Sequence, residues 1–205
     1  MISEKTRTGA FSDGIFAFAI TLLILEIKVP AHRPDITNTE LARSLVALWP
    51  SFLALFASFA TILVMWINHH GFFDLLDKID APFLYANGFL LLIVVLVPFP
   101  TALLAEHLTG PAANTAAVVY CGTFVLVNIG YNLMYRAGVR SHLLRHAVPP
   151  NVLRRVKRAY RFAFLWYSLA AAIAWVHALT GTIICALLWL LWTRLDYSST
   201  SHENI

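Results

Sequence analysis

Four stretches of this chain, residues 10–29, 48–70, 82–105 and 112–135, each run for about twenty residues or more with very little charge. That is the length a helix needs to cross a hydrocarbon layer ~30 Å thick at ~1.5 Å per residue. No water inside that layer satisfies backbone N–H and C=O groups, so only helices and closed barrels span it. A barrel would show alternating strands of roughly ten residues, whereas these runs are continuous. The pattern predicts an all-α membrane protein. Composition agrees, with 59% hydrophobic and 13% charged residues, against about a quarter charged in a soluble domain.

Two shorter apolar runs, 162–177 and 181–193, form a hairpin over Leu179 and Thr180 and bring the expected total to six transmembrane helices in a single domain, 1–205. Residues 30–41 read as a polar loop, and Gly71 with Asp74, Asp77, Lys78 and Asp80 as a turn. Pro98 and Pro100 should kink or end the third run. A basic stretch from Arg136 to Arg161 is broken by Pro149 and Pro150, and no internal repeat is visible. Lys and Arg are retained on the cytoplasmic side of short loops. With six spans, twelve of them fall on the side of both termini and three on the other, so both termini are expected in the cytoplasm. Lys5 and Arg7 before the first run imitate a signal peptide. That run carries Asp13 and lacks a small-residue cleavage site, so it reads as a retained span. The net charge of +4 then reflects topology and anionic lipid headgroups, with no nucleic acid among the partners.

Signals for chemistry are thin. The sequence has no Gly-x-Ser-x-Gly, no phosphate-cradling glycine loop and no His-Glu-x-x-His, so neither an enzyme nor a cofactor is expected. His69 and His70 are adjacent and point about 100° apart on a helix. His142 and His146 have the i, i+4 spacing of metal sites but lie in an arginine-rich stretch without acidic or cysteine ligands, and no metal is expected. Cys121 and Cys185 sit inside apolar runs and read as small buried hydrophobes.

Polar groups inside a membrane span are functional candidates by default, because each is costly unless partnered. If the first span ascends from the cytoplasm and the second descends, Asp13 and the segment Trp66 to His70 lie at similar depth. An Asp13 carboxylate held by the Trp66 indole and the His69 imidazole, with Arg7 below, would lock the two helices together. The alternative is that Asp13 is interfacial and the histidines mark the headgroup boundary. The rest of the first span is apolar on every face, so periodicity does not say which side meets lipid.

Arg7 and the triplet Phe11-Ser12-Asp13 read Arg-x-x-x-Phe-Ser-Asp. This pattern, continued through the Leu-rich run to Pro30 and by Trp66-x-Asn68-His69-His70, resembles the signature of the transmembrane protein 175 family. The resemblance implies a homotetrameric, potassium-selective channel of the plasma membrane whose first helix lines the pore. It implies that Arg7, Phe11, Ser12 and Asp13, with Trp66 and His69 as partners, form an internal network propping that helix. Pore-facing gate positions fall on Phe18, Leu22 and Leu25, with Thr21 beside them, and an aromatic ring at Phe18 departs from the branched aliphatic residue expected there. The three lie on one helical stripe, spanning ~10.5 Å at 1.5 Å per residue. No Thr-Val-Gly-Tyr-Gly loop is present, so rings of side chains would have to select and gate, Thr21 supplying oxygen ligands and the apolar rings dewetting when closed. Potassium ions, the lipid bilayer and further copies of the chain are the expected partners. Asp74, Asp77 and Asp80 read either as a cation-gathering rim or as a solvated turn, and Glu26 as a partner for Lys28 or Arg43. The rival function is a secondary transporter or proton exchanger relaying protons through Asp13 and His69; a non-conducting scaffold is the third.

Overall fold

A computed structural model of the chain describes residues 3–188, 192–195 and 197. Their order is α1 (Glu4–Leu22), a 3-10 turn (Leu23–Glu26), α2 (Asn38–Ala47), α3 (Trp49–Asp74), α4 (Ala81–Leu96), α5 (Pro98–His107), α6 (Ala113–Arg140), α7 (Pro150–Ala174) and α8 (Ala178–Leu187). Four units are long and apolar enough to cross a membrane: α1 with its 3-10 turn, α3, α4 with α5, and α6. The chain is an all-helical membrane protein. α7 is long, but Arg154, Arg155, Lys157, Arg158 and Arg161 crowd its first half. α8 has ten residues, and residues 189–191 of the sixth predicted run lie outside the described residues.

Local chemistry sets the ends of the helices. α1 begins at Glu4 rather than near Ala10, because Ser3 caps it by accepting the Thr6 N–H at 3.2 Å. It leaves α-geometry at Leu22 rather than continuing to Val29: Ile27 is extended, and Pro30 disfavours helix at the residue before it. Residues 30–41 are not all loop. Thr37 and Glu40 form a reciprocal capping box that starts α2, with the Glu40 carboxylate accepting the Thr37 N–H at 2.9 Å. The interruption that the prolines impose falls at Val97. Pro98 and Pro100 have no N–H to give to the preceding turn, and Thr101 resumes the ladder by donating to the Val97 carbonyl at 3.2 Å.

α6 is the axis of the bundle, packed against α4, α5, α7 and α8, while α1 lies against α3 and α4. The last hairpin turns at Trp175 to His177, earlier than Leu179. Asn114 of α6 fixes that turn by accepting the Ala178 N–H at 3.0 Å and donating to the Val176 carbonyl at 3.2 Å. Gly181 allows the two arms to touch, since a Cβ there would sit 2.5 Å from Cβ of Ala174. Cys121 and Cys185 are free and buried.

α6 ends in a Schellman motif: Leu143 N–H reaches the Gly138 carbonyl at 3.0 Å and His142 N–H the Val139 carbonyl at 3.4 Å. His142 takes the left-handed position at φ 53°. The helix therefore stops before His142, and the i, i+4 geometry that would pair it with His146 is never built. Leu143 is buried and clasps the α3–α4 turn through its carbonyl, which accepts the Asp77 N–H at 2.8 Å. The Leu76 carbonyl receives both Lys5 Nζ, at 2.6 Å, and Arg145 Nε, at 3.2 Å. The start of α1 and the two turns at this end are thus one fastened unit.

Candidate functional site

α1 has two faces. Ser12, Phe16, Ala19 and Leu23 are buried and share one stripe at helical spacing. Phe11, Phe18 and Leu25 are 63%, 59% and 71% exposed, and Thr21 lies exposed with them. Leu22 is half-buried. The described residues of the protomer therefore leave an apolar face of α1 uncovered. That face contains three of the four residues assigned to the pore and only the edge of the fourth. The 3-10 turn changes the stripe as well. With three residues per turn and ~2 Å rise, Leu25 swings to lie nearly above Leu22, and the column from Phe18 to Leu25 lengthens to about 12 Å. The Thr21 hydroxyl donates to the Phe18 carbonyl at 2.9 Å. Its lone pairs, not its proton, are what it can offer to a cation.

Behind this face is a buried polar network that crosses three helices. His69 of α3 bonds Asn87 Oδ1 of α4 through Nε2 at 2.8 Å, and Asn87 Nδ2 donates to Ser12 Oγ of α1 at 3.0 Å. Ser12 in turn donates to the Thr8 carbonyl at 2.9 Å. Because Asn87 spends its N–H on Ser12, the His69 proton must sit on Nε2. Ser12, His69 and Asn87 are each at most 3% exposed. The ring of His69 packs between Phe16, at a centroid distance of 5.2 Å, and Phe73, at 4.4 Å. A second, separate tie joins α1 to α3: Trp66 Nε1 donates to Asp13 Oδ1 at 2.8 Å.

The geometry differs in several ways from the knot expected around Asp13. His69 pairs with Asn87, not with Asp13. Arg7 does not lie below Asp13 either. The six-residue separation turns them about 120° apart around α1, so Arg7 lines a groove toward α4 with Asn87 and Leu91, while Asp13 lines one toward α3 with His69 and His70. Phe11 points away from the network and is exposed. Asn87 stands outside the expected network, yet it is the one amide in the apolar run of α4, and an intramembrane amide needs a partner. Among the described residues Glu26 pairs with neither Lys28 nor Arg43. It lines a cavity of about 210 Å³ with Lys28 and Glu106. Of the acidic trio, Asp80 caps α4 by accepting the Phe83 N–H at 2.9 Å, and Asp74 lies 3.8 Å from His70.

No group of three or more His, Cys, Asp or Glu side chains is placed to hold a metal ion among the described residues. What the arrangement can do is mechanical: it holds α1 rigidly from one side and presents its other side outward.

Known proteins are similar to this chain in sequence and in fold. The family model described as the endosomal/lysosomal potassium channel TMEM175 matches residues 7–98, which include most of α1 and all of α3 and α4. A potassium channel of Chamaesiphon minutus is 45% identical over 187 residues, covering 91% of this chain and 92% of that protein. A potassium channel of Streptomyces collinus is 40% identical, covering 86% of this chain and 85% of that protein. The crystal structure of a lysosomal potassium-selective channel TMEM175 homolog from Chamaesiphon minutus superposes with a TM-score of 0.81 at 42% identity. The match covers 93% of this chain and 96% of that one. On these grounds the chain belongs to the TMEM175 family, a family of ion channels rather than enzymes.

Proposed function

We propose that the chain is a potassium-selective channel of the plasma membrane, assembled from four copies that each contribute α1 to a central pore. Each copy would carry six spans with both termini in the cytoplasm, α7 and α8 supplying the shorter pair. One observation carries the reading: α1 is fixed from behind by hydrogen bonds while its other face, with Phe18, Thr21 and Leu25, is left exposed by the described residues of the protomer. The potassium channels of Chamaesiphon and Streptomyces support it, because the similarity runs along almost the whole chain.

Four copies of that face would stack rings of Phe18, Leu22 and Leu25 along the axis. Rings so narrow and apolar dewet when closed and form a hydrophobic gate. The Thr21 hydroxyls, with lone pairs free, stand between the Phe18 and Leu22 levels and replace part of a cation's hydration shell. Potassium sheds water more readily than sodium, so a nearly dry passage with weak oxygen ligands favours it. Ser12, Asp13, Trp66 and His69 serve as support, with Asn87 added to them, while Arg7 and Phe11 of the signature stand outside that hydrogen-bonded network.

A proton exchanger using Asp13 and His69 finds less support. Asp13 is bonded to Trp66, His69 to Asn87, and no hydrogen bond joins the two. The deciding measurement is ion flux into liposomes containing the purified protein. Passive potassium movement down its gradient at channel rates, with no counter-ion, is expected. Strict one-for-one exchange with protons would overturn the channel reading.

A further inference from the structure

The groove between α6 and α7 has no part in the conduction proposed above, and its make-up is unusual. It encloses about 380 Å³ and is walled by Ile129, Leu133, Phe164 and Leu165, with Arg136 and Arg161 also in its lining. The two helices run antiparallel there, with Asn132 Nδ2 reaching the Tyr160 carbonyl at 3.5 Å, so Arg136 lies about 6 Å to one side of that contact along the axis and Arg161 about 1.5 Å to the other, and both long side chains line the one groove. Both arginines are exposed, and neither has an ion-pair partner among the described residues. No carboxylate lines the groove. From Arg136 the apolar wall runs back through Leu133 to Ile129, about 10 Å along the axis. It opens at Leu165, which is 68% exposed.

This is also where α7 changes character. Its residues up to Arg161 carry five cations, and those after it none. An abrupt boundary between charged and apolar halves on a lipid-facing helix marks the level of the headgroups. We infer that the groove is a binding site for an anionic phospholipid, with the phosphate held between the Arg136 and Arg161 guanidiniums and one acyl chain laid along Ile129, Leu133, Phe164 and Leu165. Two planar guanidiniums suit a phosphate diester because each presents paired N–H donors. Basic pockets between transmembrane helices at this level are suited to anionic headgroups. A soluble phosphate would use the arginines but not the apolar wall, so the occupant is a lipid.

The test is native mass spectrometry of the detergent-purified full-length protein, titrated with phosphatidylglycerol or phosphatidylcholine. The wild type is expected to retain phosphatidylglycerol in preference to phosphatidylcholine, and inorganic phosphate should not displace it. Arg136→Gln with Arg161→Gln should weaken retention about tenfold or more. Arg154→Gln with Arg158→Gln, which removes the same charge from the same end, should have a much smaller effect. Leu133→Trp, which blocks the wall but keeps both arginines, should also weaken retention. Equal loss in both arginine pairs would reduce the effect to general surface charge and overturn the site. Displacement by inorganic phosphate, or indifference to Leu133→Trp, would overturn the lipid as occupant. Should the double variant fail to fold, the wild-type preference and the phosphate competition still decide: no preference for phosphatidylglycerol means no site.

Discussion

Asn87 gives its N–H to Ser12 and its carbonyl to His69, so one amide joins α1, α3 and α4 where none of the three side chains reaches water. Asn87→Leu keeps the volume but strands the His69 N–H in an apolar interior. A buried donor without an acceptor costs roughly 1–3 kcal/mol, and thermal unfolding in detergent should register a drop of that size. An unchanged midpoint would mean that α1 is held by packing alone. His142 offers the opposite experiment. At φ 53° its Cβ crowds the backbone, a strain that glycine lacks. His142→Gly should stabilise the protein by about 0.5–1 kcal/mol, because the Schellman bonds stay and the strain goes. A lower melting temperature would show that the imidazole makes a contact worth more than the strain.

At the scale of elements, close approach decides more than propensity does. The α7–α8 hairpin depends on Gly181, against which Cα and Cβ of Ala174 leave no room for a methyl. Gly181→Ala improves helix propensity yet forces the arms apart. Overpacking of this kind costs typically 1–3 kcal/mol, and the prediction is a lower unfolding temperature despite the better helix former. A rise in stability would mean that the hairpin relaxes freely. The 3-10 turn after α1 works in the other direction, by altering register. It aligns Leu25 with Leu22, where a continuous α-helix would have turned Leu25 back past Phe18.

For the molecule as a whole, the uncovered face of α1 is the feature from which conduction would follow. If Phe18 and Leu25 ring a pore, Phe18→Ala or Leu25→Ala should enlarge single-channel conductance and relax the preference for potassium over sodium. Currents unchanged in both variants would take these residues out of the pore. The exposed aromatics on α3, Phe52, Phe56 and Phe59 among them, need either acyl chains or a neighbouring subunit. In a membrane both are available, which is why hydrophobic exposure alone does not choose between them.

Membrane class, helical architecture and the first four crossings were legible in the chain because hydrocarbon admits no unpaired backbone: a long apolar run has to be helix whatever surrounds it. The Arg-x-x-x-Phe-Ser-Asp pattern was equally visible, as was the meeting of Asp13 with Trp66. The tie of His69 to Asn87 rather than Asp13 was not. Both acceptors lie within a plausible reach, and only the rotation of α3 against α4 picks one. α2 was hidden inside a polar loop because its drive is a local capping box and not hydrophobicity. The rotation of α1, which buries Phe16 and leaves Phe18 outside, is the clearest case. A helix apolar all round has no moment to read, so its orientation comes from the Ser12 and Asp13 hydrogen bonds and the fit of Phe16 and Ala19, which exist only once the neighbouring helices are in place.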